Sequence, residues 1–122
     1  MFELMVESSF DAAHQLRKYE GPCERLHGHS WKVQVFLEGN RLDKLGLMVD
    51  FKKLKAILQK ILRDFDHHNL NSVKYFKKIN PTSENVAQVI YKEFAKQIKK
   101  HKVKLSKVTV WESSSTYASY SE

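Results

Sequence analysis

The chain has 122 residues, of which 42% are hydrophobic and 29% charged, and its formal net charge is +7. This length suffices for a buried core, and we expect one domain over residues 1–122. No apolar run approaches the ~20 residues that a membrane-spanning helix needs. The N-terminal segment is acidic where a signal peptide would be basic, so we expect a cytoplasmic protein with no membrane partner.

The excess of basic residues favours an anionic partner, either a nucleic acid or a phosphorylated metabolite. Many of these residues cluster between positions 96 and 107, around a predicted helix end, where cations complement the helix dipole and are solvated. The cluster lacks the interleaved aromatic residues of a single-strand stacking platform. We therefore predict no nucleic-acid partner.

The first two segments alternate with the period of a β-strand. Over residues 2–14 the apolar side chains share one parity, and His14 lies in phase with them. Residues 31–37 alternate in the same way, and their parity extended backwards reaches His29 and His27. If the two strands pair antiparallel, the end of the first faces the start of the second. All three histidines then project to the same buried side.

Two amphipathic helices are predicted after these strands. Asp50 is the N-cap of the first, because apolar residues follow it at three- and four-residue spacing up to Phe65. Residues 66–81 form a loop longer than most in compact domains, and such loops usually carry function. Thr82 or Ser83 caps the second helix.

The second helix is predicted to end near His101, and a third strand covers residues 103–112, with Glu112 on the parity of its apolar positions. Residues 116–120 are short and aromatic and form a fourth strand. This order predicts an α+β fold, in which a four-stranded antiparallel sheet carries both helices on one face. The other face remains uncovered.

The uncovered face includes apolar residues, among them Met5, Phe36 and Trp111. An exposed apolar sheet face is typical of a subunit interface. We therefore predict a homo-oligomer that associates through the sheet.

Three histidines in phase on neighbouring strands predict a zinc site. Neutral imidazoles are the commonest protein ligands of zinc, and a catalytic zinc keeps three protein ligands and an open fourth position. His14, His27 and His29 are the candidate ligands, and Zn²⁺ is the expected cofactor. For any one of them alone, a buried structural histidine is the ordinary alternative.

Cys23 lies in the connection between the two strands. It is the only cysteine, so it cannot form an intramolecular disulfide. Near a divalent cation its thiol would ionise and act as a base or nucleophile. The alternative is a fourth ligand that closes a structural zinc site.

Three other polar residues are candidates for chemistry. Asp66 and His67 are adjacent and form either an oriented acid–base pair or helix-end capping contacts. Glu112 is either a buried carboxylate that accepts two parallel hydrogen bonds from a heterocycle or a strand-edge charge that faces solvent.

Six motifs resemble, in order, those of the 6-pyruvoyl tetrahydropterin synthase and 6-carboxytetrahydropterin synthase family. They are Phe10-Asp-Ala-Ala-His14, Cys23-Glu-Arg-Leu-His-Gly-His29, Gly46-Leu-Met-Val-Asp-Phe51, Asp66-His-His-Asn-Leu-Asn71, Pro81-Thr-Ser-Glu-Asn85 and Trp111-Glu112. The resemblance covers nearly the whole chain. It implies the tunnelling fold (ββααββ), in which the sheets of several subunits join into a barrel, typically in a hexamer built from two trimers. Active sites then lie between subunits.

The resemblance also implies roles for the candidate residues. The substrate it implies is 7,8-dihydroneopterin triphosphate. The family positions fall on residues of this chain as follows: zinc ligands on His14, His27 and His29, the catalytic thiol on Cys23, the catalytic pair on Asp66 and His67, the pterin-anchoring carboxylate on Glu112, and a pterin-holding segment on Thr82 and Ser83.

The three residues between Cys23 and His27 resemble the carboxytetrahydropterin branch of the family, which serves 7-deazaguanine (queuosine-type) biosynthesis. That branch implies a zinc-dependent carbon–carbon lyase that forms 6-carboxytetrahydropterin, acetaldehyde and triphosphate. A pyruvoyl-forming phosphate-lyase on the same site is the first alternative. A zinc-stabilised or nucleic-acid-binding module without turnover is the second.

Overall fold

The computed structural model describes residues 1–18 and 25–122, and the predicted thiol of Cys23 lies outside these ranges. The described part of the chain contains five strands and two helices, in the order β1 (Phe2–His14), β2 (His27–Gly39), α1 (Phe51–Leu62), β3 (His68–Asn69), α2 (Ser83–Gln97), β4 (Lys104–Ser113) and β5 (Thr116–Tyr120). Two short 3₁₀ turns, Leu70–Ser72 and Lys74–Phe76, connect β3 with α2. Within these ranges, no helix combines the length and the apolar character needed to cross a bilayer.

The strands form one sheet in the order β3-β1-β2-β4-β5. The four long strands are antiparallel, as predicted, and the β1–β2 ladder runs from Phe2 opposite Gly39 to His14 opposite His27. The sheet also has a fifth strand, because β3 pairs in parallel with β1 at Ala12 and Ala13. A two-residue strand has no periodicity, and the sequence pattern therefore did not predict it.

Both helices pack on one face of the sheet, α1 against β1 and α2 against β4 and β5. The core between them and the sheet contains the inward-facing residues of every long element. Its largest fully buried side chains are Trp31, Phe10, Phe65, Phe76, Phe94, Leu37, Leu54, Leu58 and Leu70. The Phe10 and Trp31 rings stack with centroids 5.6 Å apart, and they lie on the strand faces that carry the histidines.

The helix boundaries follow from local hydrogen bonds. The Asp50 carboxylate accepts from the Lys52 N–H at 2.9 Å and caps α1. The helix ends at Leu62, earlier than predicted. Phe65 lies in the following turn, where its N–H bonds to the Leu62 carbonyl at 3.0 Å, and its side chain is still buried. Apolar spacing alone does not distinguish a last helical turn from such a turn.

The second helix starts where the sequence places it. Thr82 caps α2, since its hydroxyl accepts from the Asn85 N–H at 3.1 Å. The helix ends at Gln97, and His101, near which the end was predicted, lies in a turn in which its N–H bonds to the Ile98 carbonyl at 2.9 Å. The predicted end is thus a few residues too late.

No helix among the described residues covers the other sheet face. Met5 on this face is 41% exposed. The Lys107 ammonium lies 4.6 Å from the Phe36 ring centroid, and the Lys32 ammonium 4.5 Å from that of Trp111. Long basic side chains therefore cover part of its aromatic surface.

Candidate functional site

Three histidines meet where β1 ends and β2 begins. His14 pairs with His27 across the ladder, and His29 stands opposite Ala12. The ring centroid of His14 lies 4.6 Å from that of His27 and 5.2 Å from that of His29. Glu112 reaches the same place from β4, and one ligand atom of each of the four residues lies within 4.8 Å of the others. Strand alternation and the antiparallel register are sufficient to bring the imidazoles together.

Backbone carbonyls orient two of the imidazoles. His14 Nδ1 lies 2.7 Å from the Pro81 carbonyl oxygen, and His27 Nδ1 lies 2.8 Å from that of Arg25. A carbonyl only accepts hydrogen bonds, so we assign the proton of each neutral ring to Nδ1. Each Nε2 then carries a lone pair, as in metal-binding histidines whose other nitrogen donates to a carbonyl.

The two Nε2 atoms of His14 and His27 are 3.1 Å apart. In the neutral tautomers assigned above, neither atom has a hydrogen to donate to the other. Two lone pairs at this distance repel each other unless a proton or a cation lies between them. The arrangement therefore fits a bound cation better than a hydrogen bond between the rings.

Glu112 adds a carboxylate to the three imidazoles. Its Oε1 lies 2.9 Å from His29 Nε2 and 3.2 Å from His14 Nε2. The buried His29 Nε2 nevertheless has no hydrogen-bond partner of acceptable direction. The short distance is thus an electrostatic approach, and a cation would satisfy the unpaired nitrogen.

Burial lowers the pKa of His29, and this effect exceeds the opposing influence of the Glu112 carboxylate, which raises it. The nearby His14 and His27 lower the pKa of His29 further. A lowered pKa keeps the imidazole neutral near pH 7, and a neutral imidazole is the form that binds metal. Three imidazole nitrogens with one carboxylate oxygen form a donor set that a divalent metal ion fits.

The N-terminus of α2 supports this group. The Ser83 hydroxyl donates to Glu112 Oε2 at 2.9 Å, and the Ser83 side chain is almost fully buried. Thr82 uses its hydroxyl to cap the helix. Of the two residues predicted to hold the substrate, Ser83 contacts the candidate metal centre directly through Glu112, and Thr82 precedes it as the helix cap.

Asp66 and His67 belong to a second group. Their closest side-chain atoms, Asp66 Oδ2 and His67 Nε2, are 3.7 Å apart, which is too long for a hydrogen bond. The His67 side chain is 79% exposed. The carboxylate is thus near the imidazole without fixing its tautomer in this chain.

The edge of β1 holds this second group in place. The Asp11 N–H donates to Asp66 Oδ1 at 2.9 Å, and the His67 N–H donates to the Asp11 carbonyl at 2.7 Å. His67 has a φ of 58°, in the left-handed region that is uncommon for residues other than glycine. The hydrogen bonds to the β1 backbone therefore hold His67 in this uncommon conformation.

The second group lies with the Asp11 side chain at the uncovered face of the sheet. Asp11 alternates with the inward-facing Ala12, and its carboxylate accepts from the Ser30 hydroxyl at 2.7 Å on the uncovered face. A cavity of about 590 Å³ adjoins this face, and its lining includes His29 and His67 as well as Asp11. The chain thus brings Glu112 to the histidines, whereas Asp66 and His67 form their own group with Asp11 and share a cavity with His29.

Sequence reasoning missed two features of these groups. It treated Glu112 only as a substrate anchor or a surface charge and did not predict its contact with the histidines. It also did not predict Asp11 as the partner of Asp66 and His67. The parity of Glu112 indicated the correct face, but the Asp11 contacts are made through its backbone and produce no sequence signal.

Three comparisons identify the family. Residues 3–122 match the family described as 6-pyruvoyl tetrahydropterin synthase. A dihydroneopterin monophosphate aldolase of Pyrococcus furiosus is 37% identical, over 89% of this chain and 88% of the relative. A 6-carboxy-5,6,7,8-tetrahydropterin synthase of Haemophilus influenzae is 30% identical over 100% of both chains.

The fold comparison agrees with the sequence comparisons. The structure of Caenorhabditis elegans 6-pyruvoyl tetrahydropterin synthase superposes with a TM-score of 0.88 at 29% identity, over 99% of this chain and 95% of that one. The predicted tunnelling fold is thereby confirmed for the single chain. The chain belongs to the 6-pyruvoyl tetrahydropterin synthase family.

Proposed function

We propose that the protein converts 7,8-dihydroneopterin triphosphate into 6-carboxy-5,6,7,8-tetrahydropterin, acetaldehyde and triphosphate, in a zinc-dependent step of 7-deazaguanine biosynthesis. Membership of the family supports a role in pterin biosynthesis. The Haemophilus influenzae relative, whose name gives this product, supports the carboxy branch. The three-residue spacing between Cys23 and His27 supports the same branch.

The observation that carries the proposal is the meeting of three imidazoles whose free nitrogens approach one point. Zinc would be held by His14, His27 and His29, two of them oriented by backbone carbonyls. When bound, zinc would act as a Lewis acid on the hydroxyls of the substrate's three-carbon side chain.

Glu112 would anchor the pterin. Its carboxylate would accept the exocyclic amino group and a ring N–H in two parallel, charge-assisted hydrogen bonds. The Ser83 hydroxyl already holds one carboxylate oxygen, which limits rotation of the group. Thr82 would contribute by fixing the helix N-terminus from which Ser83 projects.

Proton transfer would be divided between two groups. Cys23 as a thiolate would remove a proton from the side chain, and His67, beside the Asp66 carboxylate, would exchange protons with it. Among the described residues of one chain, the Asp66–His67 pair does not belong to the histidine group, although His67 and His29 line one cavity. We propose that it serves the metal centre of a neighbouring subunit.

Such sharing requires an oligomer. The uncovered sheet face with its partly exposed Met5 supports association of sheets into a barrel, as a hexamer of two trimers. We further propose that the chain acts as one domain in the cytoplasm, without nucleic-acid or membrane partners.

The proposed reaction balances with one water. Loss of triphosphate from the substrate leaves a pyruvoyl-type side chain. The hydrogens removed from the side chain as protons are returned to the pterin ring and to the terminal carbon. Hydrolytic cleavage of the bond between the first two side-chain carbons then gives the carboxylate and acetaldehyde. The pyruvoyl synthase alternative stops before this cleavage.

The Pyrococcus furiosus relative favours a second candidate, an aldolase acting on dihydroneopterin monophosphate. A base would remove the proton of the second side-chain hydroxyl. The same carbon–carbon bond would then break, and the carbon attached to the ring would take up a proton. The products would be 6-hydroxymethyl-dihydropterin and glycolaldehyde phosphate. Both candidates need the metal centre and a base, and they differ in the fate of the phosphate.

Product analysis separates the candidates. Zinc-loaded protein is incubated with dihydroneopterin triphosphate or monophosphate, with the Cys23→Ala protein as the background control, and products are identified by mass spectrometry. Equal amounts of 6-carboxytetrahydropterin and acetaldehyde support the main proposal. A pyruvoyl product without acetaldehyde supports the phosphate-lyase, and 6-hydroxymethyl-dihydropterin supports the aldolase. Absence of turnover with both substrates refutes all three.

A further inference from the structure

We propose that a cationic cavity beside the Asp66–His67 pair binds the phosphate tail of the substrate. The cavity has a volume of about 350 Å³. Its lining consists of Arg63, Asp64, His68, Ser72, Val73 and Lys74. The catalytic role of this subsite rests on the proposed function, because the subsite would bind the phosphates of the proposed pterin substrate.

Backbone and side-chain hydrogen bonds hold the segments that line the cavity. Arg63 follows the last residue of α1, and its N–H bonds to the Gln59 carbonyl at 3.1 Å. The 3₁₀ turn that ends at Ser72 is fixed to the end of β1, because the Asn71 amide exchanges hydrogen bonds of 2.9 Å and 3.0 Å with the Gln15 backbone. The cavity is therefore bounded by a helix end and an anchored turn.

The charges of the cavity suit a polyanion. Within residues 1–18 and 25–122, neither the Arg63 guanidinium nor the Lys74 ammonium forms an ion pair with a carboxylate. Asp64 is the one carboxylate among the described lining residues and offsets part of this positive charge. The Ser72 hydroxyl supplies a further donor, and guanidinium and ammonium groups are the usual partners of phosphate oxygens.

His68 connects this cavity with the acid–base group. Its Nδ1 lies 2.7 Å from the Asp66 carbonyl, which leaves Nε2 free for a ligand. His68 lines both the 590 Å³ cavity that contains His67 and the 350 Å³ cavity. In the proposed reaction the three-carbon side chain of the substrate must reach His67, and the phosphates are attached to the far end of that side chain. Because His68 lines both cavities, a tail that extends past His67 along His68 would enter the cavity lined by Arg63 and Lys74 of the same subunit.

The test uses Arg63→Gln and Lys74→Gln, which remove a charge but keep most of the side chain. Lys77→Gln is the matched control, because Lys77 is an exposed lysine of the same segment that does not line the cavity. Binding of inorganic tripolyphosphate is measured by calorimetry on the zinc-loaded protein. KM is measured for dihydroneopterin triphosphate, dihydroneopterin monophosphate and unphosphorylated dihydroneopterin.

Each cavity variant is expected to weaken tripolyphosphate binding and to raise KM for the triphosphate about tenfold, as loss of one charge-assisted contact does. In the cavity variants, the zinc content and the KM for any turnover of unphosphorylated dihydroneopterin are expected to stay unchanged. The Lys77→Gln protein is expected to bind tripolyphosphate and the triphosphate substrate like the wild type. An equal loss in Lys77→Gln would show attraction by net charge alone and overturn the subsite. Unchanged tripolyphosphate binding in both cavity variants would overturn it too. If the protein turns over no pterin but tripolyphosphate binding depends on Arg63, the proposed function fails while the phosphate site stands.

Discussion

Replacement of Glu112 by glutamine separates its two possible roles at the metal centre. As a pterin anchor, the carboxylate accepts two charge-assisted hydrogen bonds, each worth about 1.5–3 kcal/mol. The amide of Glu112→Gln keeps one acceptor oxygen, but its NH₂ group faces the second N–H donor of the pterin. At least one of the two hydrogen bonds is therefore lost. Since about 1.4 kcal/mol corresponds to a factor of ten, we expect KM to rise about tenfold to a hundredfold.

The same substitution leaves the three imidazoles in place, and the zinc content per chain is therefore expected to stay at the wild-type level. Elemental analysis of dialysed protein measures the metal, and initial rates at varied substrate measure KM. In the metal-free protein the Glu112 carboxylate raises the pKa of His29. Its removal should shift the His29 titration, followed by NMR, to lower pH. A loss of zinc together with an unchanged KM would refute the anchor role and make Glu112 the fourth ligand.

Four further predictions concern the metal, the thiol and the fold. His29→Ala should lower zinc content while the circular dichroism spectrum persists, and retention of stoichiometric zinc would contradict its role as a ligand. Cys23→Ala should abolish turnover and keep zinc, whereas metal loss would make the thiol a ligand. The Lys96 ammonium and the Tyr75 hydroxyl lower the pKa of Glu93, so its stabilisation exists above the ordinary pKa of about 4.5 and disappears as pH falls through the lowered value. Glu93→Gln should then cost about 1 kcal/mol at pH 7 in urea unfolding and progressively less as the pH is lowered below 4.5, and a loss that does not change with pH would count against this linkage. Leu58→Ala, at a fully buried position, should cost about 2–5 kcal/mol in the same measurement, and a cost below 1 kcal/mol would show that the site collapses around the cavity.

The sequence predicted that the three histidines meet because alternation and an antiparallel pairing of the first two strands are sufficient to bring them together. His14 and His27 have the parity of the buried face, and an antiparallel connection sets them opposite each other. The contact of Glu112 with the histidines was harder to predict, because the parity of Glu112 indicates a face of the sheet but not which strand lies beside β2. That β4 pairs with β2 depends on long-range packing of the helices, which no local pattern records.

The second group was predicted only in part. Residue type and resemblance suggested Asp66 and His67 as a pair, and this role stays a prediction. Their partner Asp11 lies 55 residues away from Asp66 and acts mainly through its backbone. The strand that carries this contact has two residues, too few for a period. The left-handed conformation of His67 likewise depends on tertiary contacts that override local preference.

The carbonyls that orient His14 and His27 belong to the main chain of Pro81 and Arg25. No amino-acid replacement at position 81 or 25 deletes an acceptor of this kind, because every residue type supplies the same oxygen. The metal centre should therefore tolerate side-chain exchange at these two positions and fail when an insertion or deletion displaces the backbone. A scan of substitutions against single-residue insertions at the two sites, with zinc retention as the readout, would reveal this asymmetry between chemical and geometric damage.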